Sequence, residues 1–193
     1  MKNKKNFIIS YLIIFFFFNI AFSSEEINYS SNTIKILENG KIISGEGDVQ
    51  ILIGENIFIS SEKFEYNKNT GLYKIFDNVQ FKDKVNNIKA TGTEFILSTF
   101  DNKIISKRKS KIIYNETYDI DLDSFEYDIN DQKISSDDFV KIKDNINNYF
   151  ELYEFLFDLK KDKFLGKKIK FIDYQQNKYF LNEVMINANN DKL

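Results

Sequence analysis

No cysteine, histidine, tryptophan or proline occurs anywhere in the 193-residue chain. Without cysteine there is no disulfide and no thiolate nucleophile; without histidine there is no Cys/His zinc site and no imidazole base. Serine hydroxyls therefore lack the partner that most often activates them. Glycine is scarce too, and "GEG" (Gly45 to Gly47) has neither a following lysine nor a helix to cap, so it is no phosphate loop. The expectation is a protein that is not an enzyme and uses no cofactor.

What the chain does have is aromatic residues, 20 Phe and 11 Tyr. Some belong to the first segment, "MKNKKNFIISYLIIFFFFNIAFSSEE". Three lysines open it, an apolar stretch runs from Phe7 to Phe22, and the small residues Ala21 and Ser23 precede a cut before Ser24. This is the pattern of a secretory signal peptide over residues 1–23. A retained membrane anchor is the competing reading, although the stretch is shorter than the ~20 residues a spanning helix needs. Cleavage removes three lysines and no acids, leaving 24 basic and 29 acidic residues and a net charge of −5. Nucleic acid would require a basic domain or stripe, so it is not an expected partner. The one dense basic run, "SKRKSK" (Ser106 to Lys111), reads as a solvated turn.

The remaining 170 positions repeat. Ile34, Phe64, Phe95, Phe125 and Phe155 are spaced by 30, 31, 30 and 30 residues, and the residue two further on (Ile36, Tyr66, Leu97, Tyr127, Phe157) is again apolar. Met185 falls where a sixth anchor would stand. Val49, Val79 and Val140 mark half-steps. The half-steps after Phe95 and Phe155 land beside rather than on an apolar residue, which predicts bulges or longer turns there. Polar breaks ("NKNTG", "FDNK", "NDQK", "KKDK") separate the strands of each unit. In "SSEKFEYNKNTGLYKIFDNVQF", alternation up to Tyr66, a turn at Asn67 to Gly71 and renewed alternation from Tyr73 predict an antiparallel hairpin.

Ten strands at steps of about 15 residues, with almost no helical periodicity, predict an all-β fold: an open β-jellyroll, a two-sheet stack of tandem ~30-residue β-hairpin repeats. A closed barrel is the alternative. A porin-type barrel is disfavoured because "EYDINDQKISSDD" is polar where lipid would lie. Such a stack leaves edge strands at both ends, and this chain has no proline to blunt them. The end "NEVMINANNDKL" reads as a further strand, so residues 24–193 form one repeat domain that either stops just after an edge strand or is the front part of something longer, and both suit a sheet continued by strand addition.

Two constellations remain. Asp119, Asp121 and Asp123 alternate with apolar residues and fall on one outer face, without the Gly bend and terminal Glu of a calcium loop, so they read as a solvated face. Asn115 begins the short sequon "NET", a pattern frequent by chance. The inward face is more informative. Phe64, Tyr66, Val79, Phe81, Phe95, Leu97, Phe125, Tyr127, Val140, Phe155 and Phe157 would line the space between the sheets. Core packing accounts for them, and so does an apolar trough for a long hydrocarbon ligand.

The units "ISSEKFEYNKNTGLYKIFDNVQFKD" and "IDLDSFEYDINDQKISSDDFVKIKD" resemble the OstA-like repeat of bacterial lipopolysaccharide-transport proteins, and "GEGDVQI" and "FDNVQF" resemble its second half. The likeness covers about residues 33–175. It departs in the third unit, "FILSTFDNK", which lacks the Tyr, and in the fifth, "FLFDLKKDKFLGKKIKF". The resemblance implies a periplasmic β-jellyroll that shields lipopolysaccharide acyl chains in its trough. It also implies end-to-end strand addition with other jellyrolls of the system. The length suits the soluble bridge type (LptA). The last unit resembles the N-terminal domain of the outer-membrane translocon (LptD), where a barrel would follow. The reading from another class is a structural β-solenoid of the envelope with no lipid cargo.

Overall fold

The computed structural model describes residues 26–188. The expected leader, residues 1–23, lies outside the described residues. Fifteen strands follow one another: β1 (Ile27–Ser30), β2 (Thr33–Leu37), β3 (Ile42–Ile53), β4 (Ile57–Asn67), β5 (Leu72–Asp83), β6 (Ile88–Ser98), β7 (Lys103–Ser106), β8 (Ser110–Tyr114), β9 (Tyr118–Leu122), β10 (Phe125–Asp128), β11 (Lys133–Ser136), β12 (Val140–Lys143), β13 (Tyr149–Asp158), β14 (Lys163–Ile172) and β15 (Lys178–Asn187). One 3-10 turn, Glu38–Gly40, is the only helical element among the described residues.

Every pairing is antiparallel, and the strands form a single hydrogen-bonded ribbon creased along its length. One wing runs β2-β3-β4-β5-β6-β7-β10-β11-β13-β14-β15, using the half of each long strand that pairs like Phe64 with Ile75. The other runs β1-β3-β4-β5-β6-β8-β9-β12-β13-β14-β15, pairing like Ile59 with Phe81. The expected hairpin is β4 and β5. The sequence spacing implies ten strands; there are fifteen because the chain makes eleven passes over the crease and four of them are interrupted. The chain breaks pairing at 31–32, 107–109, 123–124 and 137–139, and register shifts mark the crease between β3, β4, β5 and β6 and between β13 and β14. Bulges were expected at two half-steps and recur at the crease of most passes. There the backbone enters the left-handed region at Gly47, Asn78 and Lys168. The extra residue lets a strand bend without losing its inward phase.

Two sequence features enforce this shape. At the crease the wings converge, and inward positions beside it are small: Gly45, Ser61, Gly92, Ser106, Ser110, Ser136 and Gly166. A Cβ on Gly45 would stand 2.2 Å from Cε1 of Phe64, and one on Gly166 2.4 Å from Cδ1 of Leu152. At the corner 107–109 Ser110 Oγ donates to Ser106 Oγ at 2.9 Å. At the outer margins, turns open on a side chain that folds back onto its own backbone. Asn67 accepts from Asn69 N–H (2.9 Å), Asp83 from Val85 N–H (2.9 Å), Asp128 from Asp131 N–H (2.8 Å), Asp144 from Ile146 N–H (3.0 Å) and Asp158 from Lys161 N–H (3.1 Å). These Asx turns satisfy the backbone where the ladder ends, and they recur at nearly the strand period.

Near the C-terminal end the phase departs from the thirty-residue count. Met185, the expected sixth anchor, points outward and is 62% exposed, while Val184 and Ile186 take the inward positions. Val184 pairs with the inward Gly166 and Met185 with the outward Leu165, so the inward position falls one residue before the thirty-residue count.

Replacing Gly45 with alanine should destabilise the fold by about 1–3 kcal/mol, the range for overpacking a tight site. Ser44→Ala, on the outward face one residue away, should stay within about 0.5 kcal/mol. Urea midpoints of the two variants decide whether the crease tolerates a methyl group.

Candidate functional site: the apolar interior

Both wings turn one face toward the space between them, and that face is apolar throughout. Ten of the eleven candidate residues are buried: Phe64, Val79, Phe81, Phe95, Leu97, Phe125, Tyr127, Val140, Phe155 and Phe157, none above 3% exposure. Tyr66 is half-buried and stacks on Tyr73 at 4.0 Å between ring centroids. Two groups emerge by position. Phe64, Tyr66, Phe95, Leu97, Phe125, Tyr127, Phe155 and Phe157 lie on one wing; Val79, Phe81 and Val140 lie on the other.

Aromatic side chains reach from wing to wing. Phe81 meets Tyr127 edge-on at 5.8 Å, Tyr29 lies 5.2 Å from Phe64, and Tyr114 stands edge-on to Phe157 at 4.6 Å. Edge-to-face pairs at these separations contribute beyond simple area burial. Sequence reasoning passed over Tyr29, Tyr114 and Phe164, which do not stand on the anchor spacing although they keep the alternation. In this structure the interior is occupied by its own side chains.

The outer margins of the wings are tied together by phenol–carboxylate hydrogen bonds. Tyr127 Oη donates to Asp83 Oδ2 at 2.6 Å across the interior, and Asn86 Nδ2 donates to both Asp83 (2.7 Å) and the Tyr127 oxygen (3.0 Å). The backbone N–H groups of Val85 and Asn86 fill the second carboxylate oxygen, so the buried Asp83 is fully hydrogen-bonded. A second tie joins the Tyr114 hydroxyl to Asp162. Burial, and then the bond to the carboxylate, raise both phenol pKa values far above the ordinary tyrosine range. Both hydroxyls therefore stay protonated donors at any physiological pH. The alternating pattern carries a signal for Asp83: it continues the inward phase of Val79 and Phe81, and a carboxylate there needs a partner.

Both ends of the stack expose apolar surface. Ile34 and Ile36 of β2 keep the inward phase, but at the end of the stack Ile36 is 68% exposed. At the other end Tyr179 and Leu181 are exposed on the inward side, and Phe180 is 76% exposed on the outer one. β1 and β2 each pair only with β3, and β15 only with β14, among the described residues.

The polar candidates do not assemble. Asp119 and Asp121 lie on the outer face of β9, and Asp119 accepts from Lys111 at 2.8 Å. Asp123 sits at the crease, 3.8 Å from Lys109. No group of three or more acidic side chains among the described residues could hold a metal ion. The basic run forms the exposed corner between β7 and β8, where Arg108 faces Glu94 at 3.6 Å.

A scan against protein-family models finds no match, and a search of curated proteins finds no significant one. Among solved structures the chain is similar to LptH of Pseudomonas aeruginosa, described as the LptA-homologous periplasmic component of the lipopolysaccharide transport device. The TM-score is 0.50 at 14% identity, over 57% of this chain and 80% of that one. The likeness shows a shared fold, an LptA-like β-jellyroll. The TCP10 domain of Danio rerio CPAP, bound to a STIL peptide, also overlaps, at 9% identity over 82% of this chain and 99% of that one; its TM-score of 0.15 carries no argument.

Tyr127→Phe removes the donor of one tie while keeping the ring. It should cost about 1–3 kcal/mol, because a buried charged acceptor loses a partner. The midpoint of chemical denaturation measures this, and an unchanged midpoint would mean that the margins are not held by this bond.

Proposed function

We propose that this chain is a periplasmic component of a lipopolysaccharide transport bridge that shields acyl chains between its wings and passes them toward the outer membrane. The observation that carries the reading is an apolar interior, continuous from wing to wing along the stack, in a fold shared with LptH. The eleven interior residues, Phe64 through Phe157, are the proposed acyl-chain contacts. Residues 1–23 are the proposed export signal and residues 24–193 the jellyroll domain.

The physical logic follows from what fills the interior. When an acyl chain enters, side-chain contacts such as Phe81 with Tyr127 are exchanged for contacts with hydrocarbon. Neither state exposes the apolar surface to water, so the hydrophobic term changes little at each step along the stack. The wings must part to admit the chain. Their margins are held by the Tyr127–Asp83 and Tyr114–Asp162 ties, each contributing only about 1–3 kcal/mol. The polar head remains outside, since the interior offers an anionic group no cation.

The proposed partners are lipopolysaccharide and other jellyroll proteins joined end to end. The exposed β2 and β15, with unpaired backbone edges and apolar side chains, are the surfaces for strand addition. The bridge type (LptA) draws support from the LptH likeness. The translocon N-terminal type (LptD) draws it from the resemblance of "FDLKKDKFLGKKIKF", and in that case an outer-membrane barrel is a partner. A scaffold without cargo is the second reading, and the filled interior favours it.

A photo-crosslinking amino acid placed in cells distinguishes these readings. At Phe64 or Phe125 it should yield lipopolysaccharide adducts, with none from the outward Glu65 or Glu126, and at Phe180 it should yield protein adducts. No lipid adduct from either inward site in an exported, folded chain would leave the scaffold as the function. No protein adduct at Phe180 would remove only the end-to-end partner.

A further inference from the structure

The outer face of the second wing carries a groove that transport through the interior does not use. Its volume is about 610 Å³, and it crosses β1, β3, β4, β5, β6 and β8. Leu52 and Phe58, paired in register, make its apolar floor, and Ile113 lies at the far end of the same row; all three are outward-facing and half-buried. A row of uncharged polar residues, among them Gln50, Ser60 and Thr91, borders one side, and Lys82 and Lys89 stand in the same cross-strand row as the apolar residues, between Phe58 and Ile113. Lys84 stands beside them with its ammonium 4.1 Å above the Phe58 ring.

Charge is what makes the groove specific. The domain is acidic, with a net charge of −5 over residues 24–193, yet no carboxylate lines this groove. Lys89 is paired with the exposed Glu116 at 3.0 Å. Lys82 has no ion-pair partner among the described residues, and Lys84 rests over the Phe58 ring. An apolar floor beside cations without counter-charges is complementary to a ligand with a hydrocarbon part and an anionic head. The volume is that of a site for one small molecule, within the ~300–1,000 Å³ range of ligand pockets. Among the described residues only β1, at the rim, has an unpaired edge, and the other strands that form the groove are paired on both sides.

We infer that this groove is a binding site for a single-chain anionic amphiphile, a lysophospholipid with a phosphate-bearing head. Its acyl chain lies on Leu52 and Phe58, and its phosphate faces Lys82 and Lys84. The site lies on the opposite face of the sheet from the interior and is independent of the transport reading.

The natural absence of tryptophan supplies a clean probe: Gln50→Trp places one indole at the groove. Titration with a fourteen-carbon lysophosphatidylglycerol below its micelle concentration should shift the Trp emission. Calorimetry on the unmodified chain should give the same affinity. Lys82→Glu, an exposed substitution whose folding is checked by circular dichroism, should weaken binding roughly tenfold or more, as loss of a charge-assisted contact and its replacement by repulsion require. Interior crosslinking at Phe125 should be unchanged in that variant. Equal binding of lysophosphatidylcholine, or binding unaffected by Lys82→Glu, would overturn the proposal. Binding of inorganic phosphate alone, or only to phosphatidylglycerol-containing vesicles, would overturn it as well.

Discussion

Everything in this molecule depends on how closely two wings of one sheet can approach along their crease. A strand that must serve both wings has to bend in its middle, and bending brings its inward side chains into collision. Gly45 and Gly166 leave no room for even a Cβ, and serines stand at the equivalent places in β4, β7, β8 and β11. Given that approach, larger side chains further from the crease meet across a narrow space and bury almost completely. The margins then lie near enough for a tyrosine on one wing to reach a carboxylate on the other. Bulged residues in left-handed conformation cost local strain, and the tightly packed interior that they permit offsets it.

The alternation and the thirty-residue spacing reveal the all-β class, the two wings and the inward direction of Phe64, Phe95, Phe125 and Phe155. These are readable because an inward aromatic recurs once per two passes and the period of two resets at each turn. Other features were hidden for identifiable reasons. Small crease residues look like ordinary loop composition until the wings are folded together. The strand count depends on whether each crease is bulged or broken, and Ser106 to Ser110 and Asp77 to Asn78 give no simple rule for which. Met185 falls outward because the register after Phe155 places Val184, not Met185, opposite the inward Gly166. The outer groove joins six strands through register, which spacing along the chain does not supply.

The buried polar groups show how an apolar interior can be held closed without being made rigid. No buried side-chain nitrogen or oxygen lacks a partner among the described residues, so the margins carry no unsatisfied group that would force them apart. The ties themselves are few and made by neutral phenols on carboxylates. Burial keeps those phenols protonated, so they remain hydrogen-bond donors. A structure closed by a small number of modest bonds over an exchangeable apolar filling is suited to admitting hydrocarbon. One closed by backbone hydrogen bonds, as in a barrel, is not.

The separation of the margins is therefore the quantity to measure. The chain has no cysteine, so spin labels at Val85→Cys and Asp131→Cys, exposed on the two margins beside the Asp83–Tyr127 tie, report a single distance. Pulsed electron–electron resonance should give a narrow distribution for the free protein and a longer, broader one when lipopolysaccharide is added. It should stay unchanged with the delipidated polysaccharide alone. A distance that does not move with saturating lipopolysaccharide would contradict the account, leaving the interior a permanent core.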